Sequence, residues 1–271
     1  MLHPTIADIF SDPDKNITVL TGAGISAESG IPTFRGPEGF WTIGSKNYHP
    51  QEMATHAMFQ KHPYEVWQWY LYRLNLCKNA KPNTGHKLIF DLEQVLKDRF
   101  RLITQNVDNL HLVAGNSEQR NYQIHGNVFF MRCLNECKNN LFNLPRQLLH
   151  SKKDEPLTAD EIKLLTCPDC GSCSRPHVLW FDECYNEHYF KFDSTIKTAG
   201  NTDLLIIAGT SGVTTLPNHV VATVFAHGKT IIEINIEESP FTEMAINSPN
   251  GEYIKMKCSE GLASILKNLK I

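Results

Sequence analysis

Five short apolar runs constrain this chain more than any other feature. Ile17–Thr21, Phe100–Thr104, Tyr122–His125, Leu204–Gly209 and Thr230–Ile236 are each bounded by turn residues and read as buried strands. Helical periodicity lies between them, as in Gly85–Lys97 and Val220–Ala226. Near-continuous apolar strands alternating with helices predict a parallel sheet covered on both faces, an α/β fold. A chain of 271 residues fits one large domain carrying an inserted module. Two stretches break the rhythm. Residues 41–80 are rich in Trp and Tyr and helical in pattern; residues 127–179 hold five cysteines and a polar segment, Lys138–Thr166. The expected organisation is a sheet domain built from 1–40, 81–126 and 180–271. A helical insertion (41–80) and a cysteine-bearing module (127–179) form a smaller lobe.

The cysteine spacing is Cys133-x3-Cys137, then Cys167-x2-Cys170-x2-Cys173. Four-thiolate zinc needs this pattern: each short pair supplies two ligands from one tight turn, and two turns close a tetrahedron. Disulfides or buried thiols are the alternative, and they fit poorly with a chain that shows no export signal. Which four of the five bind is left open by the spacing. Cys77, Cys184 and Cys258 read as small core residues.

Charge and hydropathy exclude several classes. The formal charge of −3 gives no electrostatic basis for tight binding to nucleic acid or an anionic membrane. No apolar run approaches the ~20 residues of a spanning helix. The N-terminal stretch carries Asp8, Asp12 and Asp14 without a signal-type apolar core, so a cytoplasmic location is expected.

The strand ends carry the chemistry. The first strand runs into Gly22-Ala23-Gly24-Ile25-Ser26-Ala27-Glu28, where glycines let backbone approach a pyrophosphate and a helix N-terminus faces it. The pattern departs from the dehydrogenase fingerprint, because no acidic strand end follows at ~20 residues. Gly209-Thr210-Ser211 and Asn235 end two later strands. Small or polar residues at three strand C-termini are what a dinucleotide at the switch point of a doubly wound sheet requires. After Phe100–Thr104 comes Gln105-Asn106-Val107-Asp108-Asn109: Asn106 and Asp108 suit the grip of a carboxamide, and Asn109 reads as a helix cap. His125, beside Gly126 at a strand end and just before the cysteine module, is the candidate general base.

These motifs, with Ser29–Gly36, Arg175-Pro176-x-Val178 and Trp180-Phe181-x-Glu183, stand in the order of the sirtuin family, which the chain resembles over nearly its whole length. The resemblance implies a Rossmann-like NAD domain, a small zinc lobe, and an acyl-lysine protein or peptide bound between them. It further implies NAD-dependent protein deacylation, with His125 catalytic. The NAD-facing set implied is Gly22, Ala23, Gly24, Ile25, Ser26, Glu28, Phe34, Arg35, Gln105, Asn106, Asp108, Gly209, Thr210, Ser211, Asn235 and Cys258. Phe34 would shield the reacting carbon from water. The zinc ligands implied are Cys133, Cys137, Cys167 and Cys170, a closed structural site. Val178, Trp180, Phe181 and Glu183 would contact substrate; the family's Phe-Gly-Glu is here Phe181-Asp182-Glu183, and the added carboxylate is expected to disfavour acidic neighbours of the substrate lysine.

One helix bears on which acyl group is removed. Val66, Tyr70, Arg73 and Cys77 share a face at helical spacing. An arginine on that apolar stripe is costly to bury without an anion, unless it snorkels to solvent. Tyr70-x-x-Arg73 matches the sirtuin subgroup that removes succinyl, malonyl and glutaryl groups, in which both residues bind the distal carboxylate. Ala54 lies where that subgroup widens its acyl pocket. The competing readings are a plain deacetylase, an ADP-ribosyltransferase or NAD hydrolase, and a non-catalytic NAD-sensing zinc module.

Overall fold

The computed structural model describes residues 4–32, 41–43, 46–150 and 156–269. In chain order its strands are β1 (Ile17–Thr21), β2 (Trp41–Ile43), β3 (Lys46–Tyr48), β4 (Phe100–Thr104), β5 (Asn121–Gln123), β6 (Gly126–Cys133), β7 (Leu141–Asn143), β8 (Ser174–Val178), β9 (Leu204–Ala208), β10 (Thr230–Asn235) and β11 (Glu252–Lys255). A six-stranded sheet runs in the order β11-β10-β9-β1-β4-β5. Every pairing in it is parallel. β1 and β9 are buried along their whole length, as sheet interiors covered on both faces must be. One face packs Ile17, Val19 and Ile206 against Ile89, Leu92 and Leu262; the other packs Leu20 and Ile207 against Leu216, Val220 and Phe241. This is the doubly wound, Rossmann-like architecture expected.

The smaller lobe has its own sheet, β7-β6-β8, antiparallel throughout. Its helical part comprises Pro50–Met53, His56–Lys61 and Pro63–Asn79. Pro63 opens the long helix, where its missing N–H leaves no hydrogen bond unmade. The indole N–H of Trp67 donates to the Ser174 carbonyl (2.9 Å), joining this helix to β8. Their shared core contains Trp67, Trp69, Leu71, Met131, Leu148 and Leu165.

Several boundaries differ from expectation. The run Tyr122–His125 forms a strand only over Asn121–Gln123; Ile124 and His125 make the turn that leads from the large sheet into β6. Gly126 holds that turn at φ 84°, and a Cβ there would lie 2.2 Å from the His177 carbonyl oxygen. Asn109 occupies the N-cap position of the helix Leu110–Ala114 but does not cap it with its side chain. The neighbouring Asp108 does so, accepting the Leu110 N–H at 2.9 Å, while the Asn109 side-chain oxygen accepts from Asn127 (2.7 Å). Cys77 and Cys258 are buried as expected; Cys184 is exposed.

Candidate active site

The C-terminal ends of β1, β4, β9 and β10 converge at one edge of the large sheet. Here the two glycine turns pack backbone to backbone. The Gly24 N–H donates to the Gly209 carbonyl (2.8 Å), and a Cβ on Gly22 or Gly24 would come within 2.7 Å of Gly209. Gly209 itself adopts φ 65°, a conformation L side chains disfavour. Cys258 lies beneath this turn, its Sγ where a Gly209 side chain would fall. Thr210 is buried, Ser211 exposed. The Asn235 side chain donates to the Thr210 carbonyl (2.9 Å), tying β10 to the same turn. The result is a cradle of close backbone with almost no side-chain bulk, which suits an extended diphosphate. Glu28 is placed differently: its carboxylate accepts from the backbone N–H of Ser259 (3.1 Å) and from its hydroxyl (2.5 Å), bracing the start of the helix Cys258–Leu269. Phe34 and Arg35 lie outside the described residues.

Ser26 links this cradle to the loop after β4. Its hydroxyl donates to Asp108 Oδ2 (2.6 Å) and accepts from the Asn106 side-chain amide (3.0 Å), which also donates to the Gly22 carbonyl (3.0 Å). Burial pushes the Asp108 carboxyl up, opposed by the hydrogen bonds from Ser26 and Leu110. Gln105 donates to Thr210 Oγ1 (2.8 Å) and accepts from Thr214 (2.9 Å), so it bridges the ends of β4 and β9. His86 also belongs to this group, with Nε2 3.4 Å from Ser26 Oγ. It is buried, and burial lowers it to about 4. The only sequence signal for it was its place in the first turn of a helix capped by Asn83.

His125 sits in the turn between the two sheets. Its Nδ1 lies 3.1 Å from the Gln105 carbonyl oxygen and its Nε2 2.8 Å from the Tyr185 hydroxyl. A carbonyl only accepts, so the proton resides on Nδ1 and the lone pair on Nε2. Burial lowers the imidazole to about 4, with the Gln105 contact acting in the opposite sense. The ring is therefore neutral, and its basic nitrogen is directed at the Tyr185 hydroxyl.

Across the same turn, the His125 carbonyl accepts the Leu179 N–H (3.0 Å), bringing the loop after β8 alongside. Ala54, Tyr70, Val178 and Trp180 join one apolar cluster. The Trp180 indole N–H donates to the Tyr70 hydroxyl oxygen (3.0 Å). Burial raises the Tyr70 hydroxyl well above its ordinary range. Arg73 is half-buried, its guanidinium carbon 5.4 Å from the Trp69 ring centroid, and desolvation lowers its pKa. The loop is fixed at three points. The Phe181 N–H donates to the Ala54 carbonyl (2.9 Å); Asp182 accepts the His56 and Ala57 N–H groups (2.7 and 3.1 Å); and Glu183 pairs with the Arg175 guanidinium and accepts the Trp180 N–H (3.0 Å). The Phe181 ring is left 56% exposed. The Glu183 side chain thus braces the loop from within.

Cys133, Cys137, Cys167 and Cys170 bring all four sulfurs within 4.8 Å of one another. The pairs Cys133–Cys170 and Cys137–Cys167 stand 3.6 Å apart. A tetrahedron of thiolates about 2.3 Å from zinc has edges of about 3.8 Å, so the set fits the ion. Cys173 falls outside it, its Sγ directed to the Ser174 carbonyl. These four cysteines would fill every position of a tetrahedral zinc, the closed arrangement of a structural site.

Comparison with known proteins agrees with this geometry. The Sir2 family model matches residues 22–215. An NAD-dependent protein deacylase of Leptospira interrogans is 39% identical over 249 residues, covering 90% of this chain and 92% of the relative. One from Pyrococcus abyssi is 39% identical over 85% of this chain and 86% of its own. Among solved structures, a Sir2 homolog–NAD complex superposes with a TM-score of 0.78 at 34% identity, covering 99% of this chain and 95% of that one. A Sir2–p53 peptide–NAD+ complex gives 0.77 at 26% identity, covering 99% and 98%. The chain is a member of the Sir2 family.

Proposed function

We propose that this chain is an NAD-dependent protein-lysine deacylase that prefers acyl groups ending in a carboxylate: succinyl, malonyl or glutaryl. Deacylation itself rests on the family and on a neutral imidazole beside a dinucleotide cradle. NAD is consumed as co-substrate. Its phosphates lie along Gly22–Ser26 and Gly209–Ser211, Gln105 and Asn235 serve the riboses, and Asn106 and Asp108 hold the nicotinamide carboxamide. The acyl oxygen attacks the ribose carbon as nicotinamide leaves. His125 then draws a proton through the ribose hydroxyls, freeing the 2′-oxygen to attack the acyl carbon. Water completes the release of free lysine and 2′-O-acyl-ADP-ribose. The acyl-lysine strand pairs with the backbone of Phe181–Glu183.

One observation carries the acyl preference. Tyr70 and Arg73 lie one turn apart on a helix whose face enters the apolar cluster with Ala54 and Trp180. Because the Tyr70 oxygen already accepts from Trp180, its own proton is directed to another acceptor. The Arg73 guanidinium one turn away supplies the matching charge, and a carboxylate reaching both groups would pair with it. The test is a matched pair of peptides bearing acetyl- or succinyl-lysine, incubated with NAD and read by mass spectrometry. Succinyl removal that collapses in Arg73→Met, with acetyl removal weak and little changed, supports the reading. Efficient acetyl removal without succinyl activity overturns the preference and leaves the chemistry standing.

A further inference from the structure

The imidazole of His125 has one lone pair, and Tyr185 holds it. Nδ1 carries the ring proton, because the Gln105 carbonyl can only accept; Nε2 is then a pure acceptor, 2.8 Å from the Tyr185 hydroxyl. The phenol cannot be the acceptor in that contact. Nε2 has no proton to give, so the one phenolic proton goes to it. The phenol ring is held in place as well, stacked on Phe192 at 6.3 Å between centroids and packed against the core that contains Leu216 and Val220. Tyr185 also lies two residues after Glu183, so one loop bears both the substrate-pairing backbone and the group bonded to the base.

We propose that Tyr185 is a positioning residue that occupies the lone pair of the catalytic imidazole in the free enzyme and surrenders it to a ribose hydroxyl of the bound dinucleotide. A neutral imidazole accepts one strong hydrogen bond at Nε2, so the phenol and the substrate hydroxyl are mutually exclusive partners. While it holds Nε2, the phenol fixes the ring plane and keeps the lone pair facing the site. In the handover no covalent bond changes. The O–H···Nε2 bond to Tyr185 is replaced by one from the ribose hydroxyl, whose proton then passes to Nε2. The proposal rests on the deacylase reading with His125 as base.

Other groups near His125 do not compete for this role. Asp108 is bonded to Ser26 and to the Leu110 N–H. Asp182 accepts from His56 and Ala57, and Glu183 pairs with Arg175. Among the described residues, Tyr185 is the titratable side chain hydrogen-bonded to the ring.

Tyr185→Phe tests the handover through its pH profile. An O–H donor at Nε2 favours the neutral ring, so its loss raises the pH at which the free enzyme's base becomes neutral. The acid limb of kcat/KM for NAD is expected to move up by roughly half to one pH unit, whereas the acid limb of kcat stays in place. The first reports the enzyme before NAD binds, the second the complex in which the ribose has replaced the phenol. Imidazole nitrogen NMR gives a readout without turnover: the His125 titration midpoints of wild type and variant differ in the free protein and converge with ADP-ribose bound. If neither limb nor midpoint moves, Tyr185 is only a wall. If both limbs move together, the phenol stays bonded in the complex and the handover is wrong. Tyr185→Leu repeats the measurement should the phenylalanine variant not fold. A wild type that makes no acyl-ADP-ribose sinks the deacylase reading instead, and the NMR comparison still decides the contact.

Discussion

The indole N–H of Trp180 donates to the hydroxyl oxygen of Tyr70 at 3.0 Å, joining the loop after β8 to the long helix of the small lobe. This single bond orients the tyrosine proton, and with it the proposed carboxylate clamp. Tyr70→Phe removes the donor and keeps the ring. A hydrogen bond to a charged group contributes about 1.5–3 kcal/mol, so kcat/KM for a succinyl peptide is expected to fall roughly ten- to a hundredfold. Acetyl-peptide kinetics, measured alongside, should change little.

Asp182 stands where the family usually has glycine, and the structure gives its carboxylate a local task. It accepts the first two N–H groups of the helix His56–Lys61, whose own cap, Thr55, takes the Met58 N–H. Asp182→Gly restores the usual residue and is expected to lower stability by about 0.5–2 kcal/mol, the range for losing an N-terminal cap. Urea denaturation checks this. The same variant should raise KM for the peptide, because Asp182 anchors the loop against the wall formed by Ala54. Peptides with Glu or Lys flanking the acyl-lysine test the separate expectation that Asp182 disfavours acidic neighbours; equal rates would remove it.

Zinc content separates the fifth cysteine from the other four. Cys170→Ser should lose the metal and loosen the small lobe, while Cys173→Ser should retain one zinc per chain. Metal analysis of the purified proteins decides the point. Stripping the wild type with a strong chelator should expose the core around Met131 and Leu165, seen as increased amide exchange in β6 and β8 with β1 and β9 still protected.

Buried neutral histidines predict an acid-labile fold. His86 and His125 are both lowered to about 4, and His111 also lies well below its ordinary value, in each case through burial. The unfolded chain binds protons at these positions near pH 6.5 and the folded chain does not. Stability is therefore complete above pH 6.5 and declines as pH falls toward 4, by at most ~1.4 kcal/mol per pH unit for each ring that stays neutral in the fold. Urea midpoints flat across pH 6.5 to 4 would contradict this.

The large sheet was legible because its strands are continuous apolar runs: β1 and β4 match the sequence reading residue for residue, and β9 and β10 each end one residue sooner. β11 was not, since Glu252–Lys255 is an edge strand with only Ile254 buried and therefore no apolar signature. The cysteine cluster was legible because its paired spacing is local, but the spacing left open which four of the five converge, and the four that the family resemblance implied are the ones brought together. Tyr185 was not, because nothing in Cys184-Tyr185-Asn186 indicates a partner that chain reversal brings in from residue 125. Asn109 shows the same limit in small: both it and Asp108 have capping chemistry, and only the left-handed backbone at Asn109 (φ 68°) decides that Asp108 caps.

The position of β1 has a consequence for how the chain acquires its fold. Ile17 pairs with Phe100 on one side and Leu204 on the other. Both neighbours are translated well after β1 itself, and its second edge stays open until β9 emerges. Loop closure over such separations must precede the contacts that reward it, which makes nucleation slow and leaves an apolar strand edge exposed in the interval.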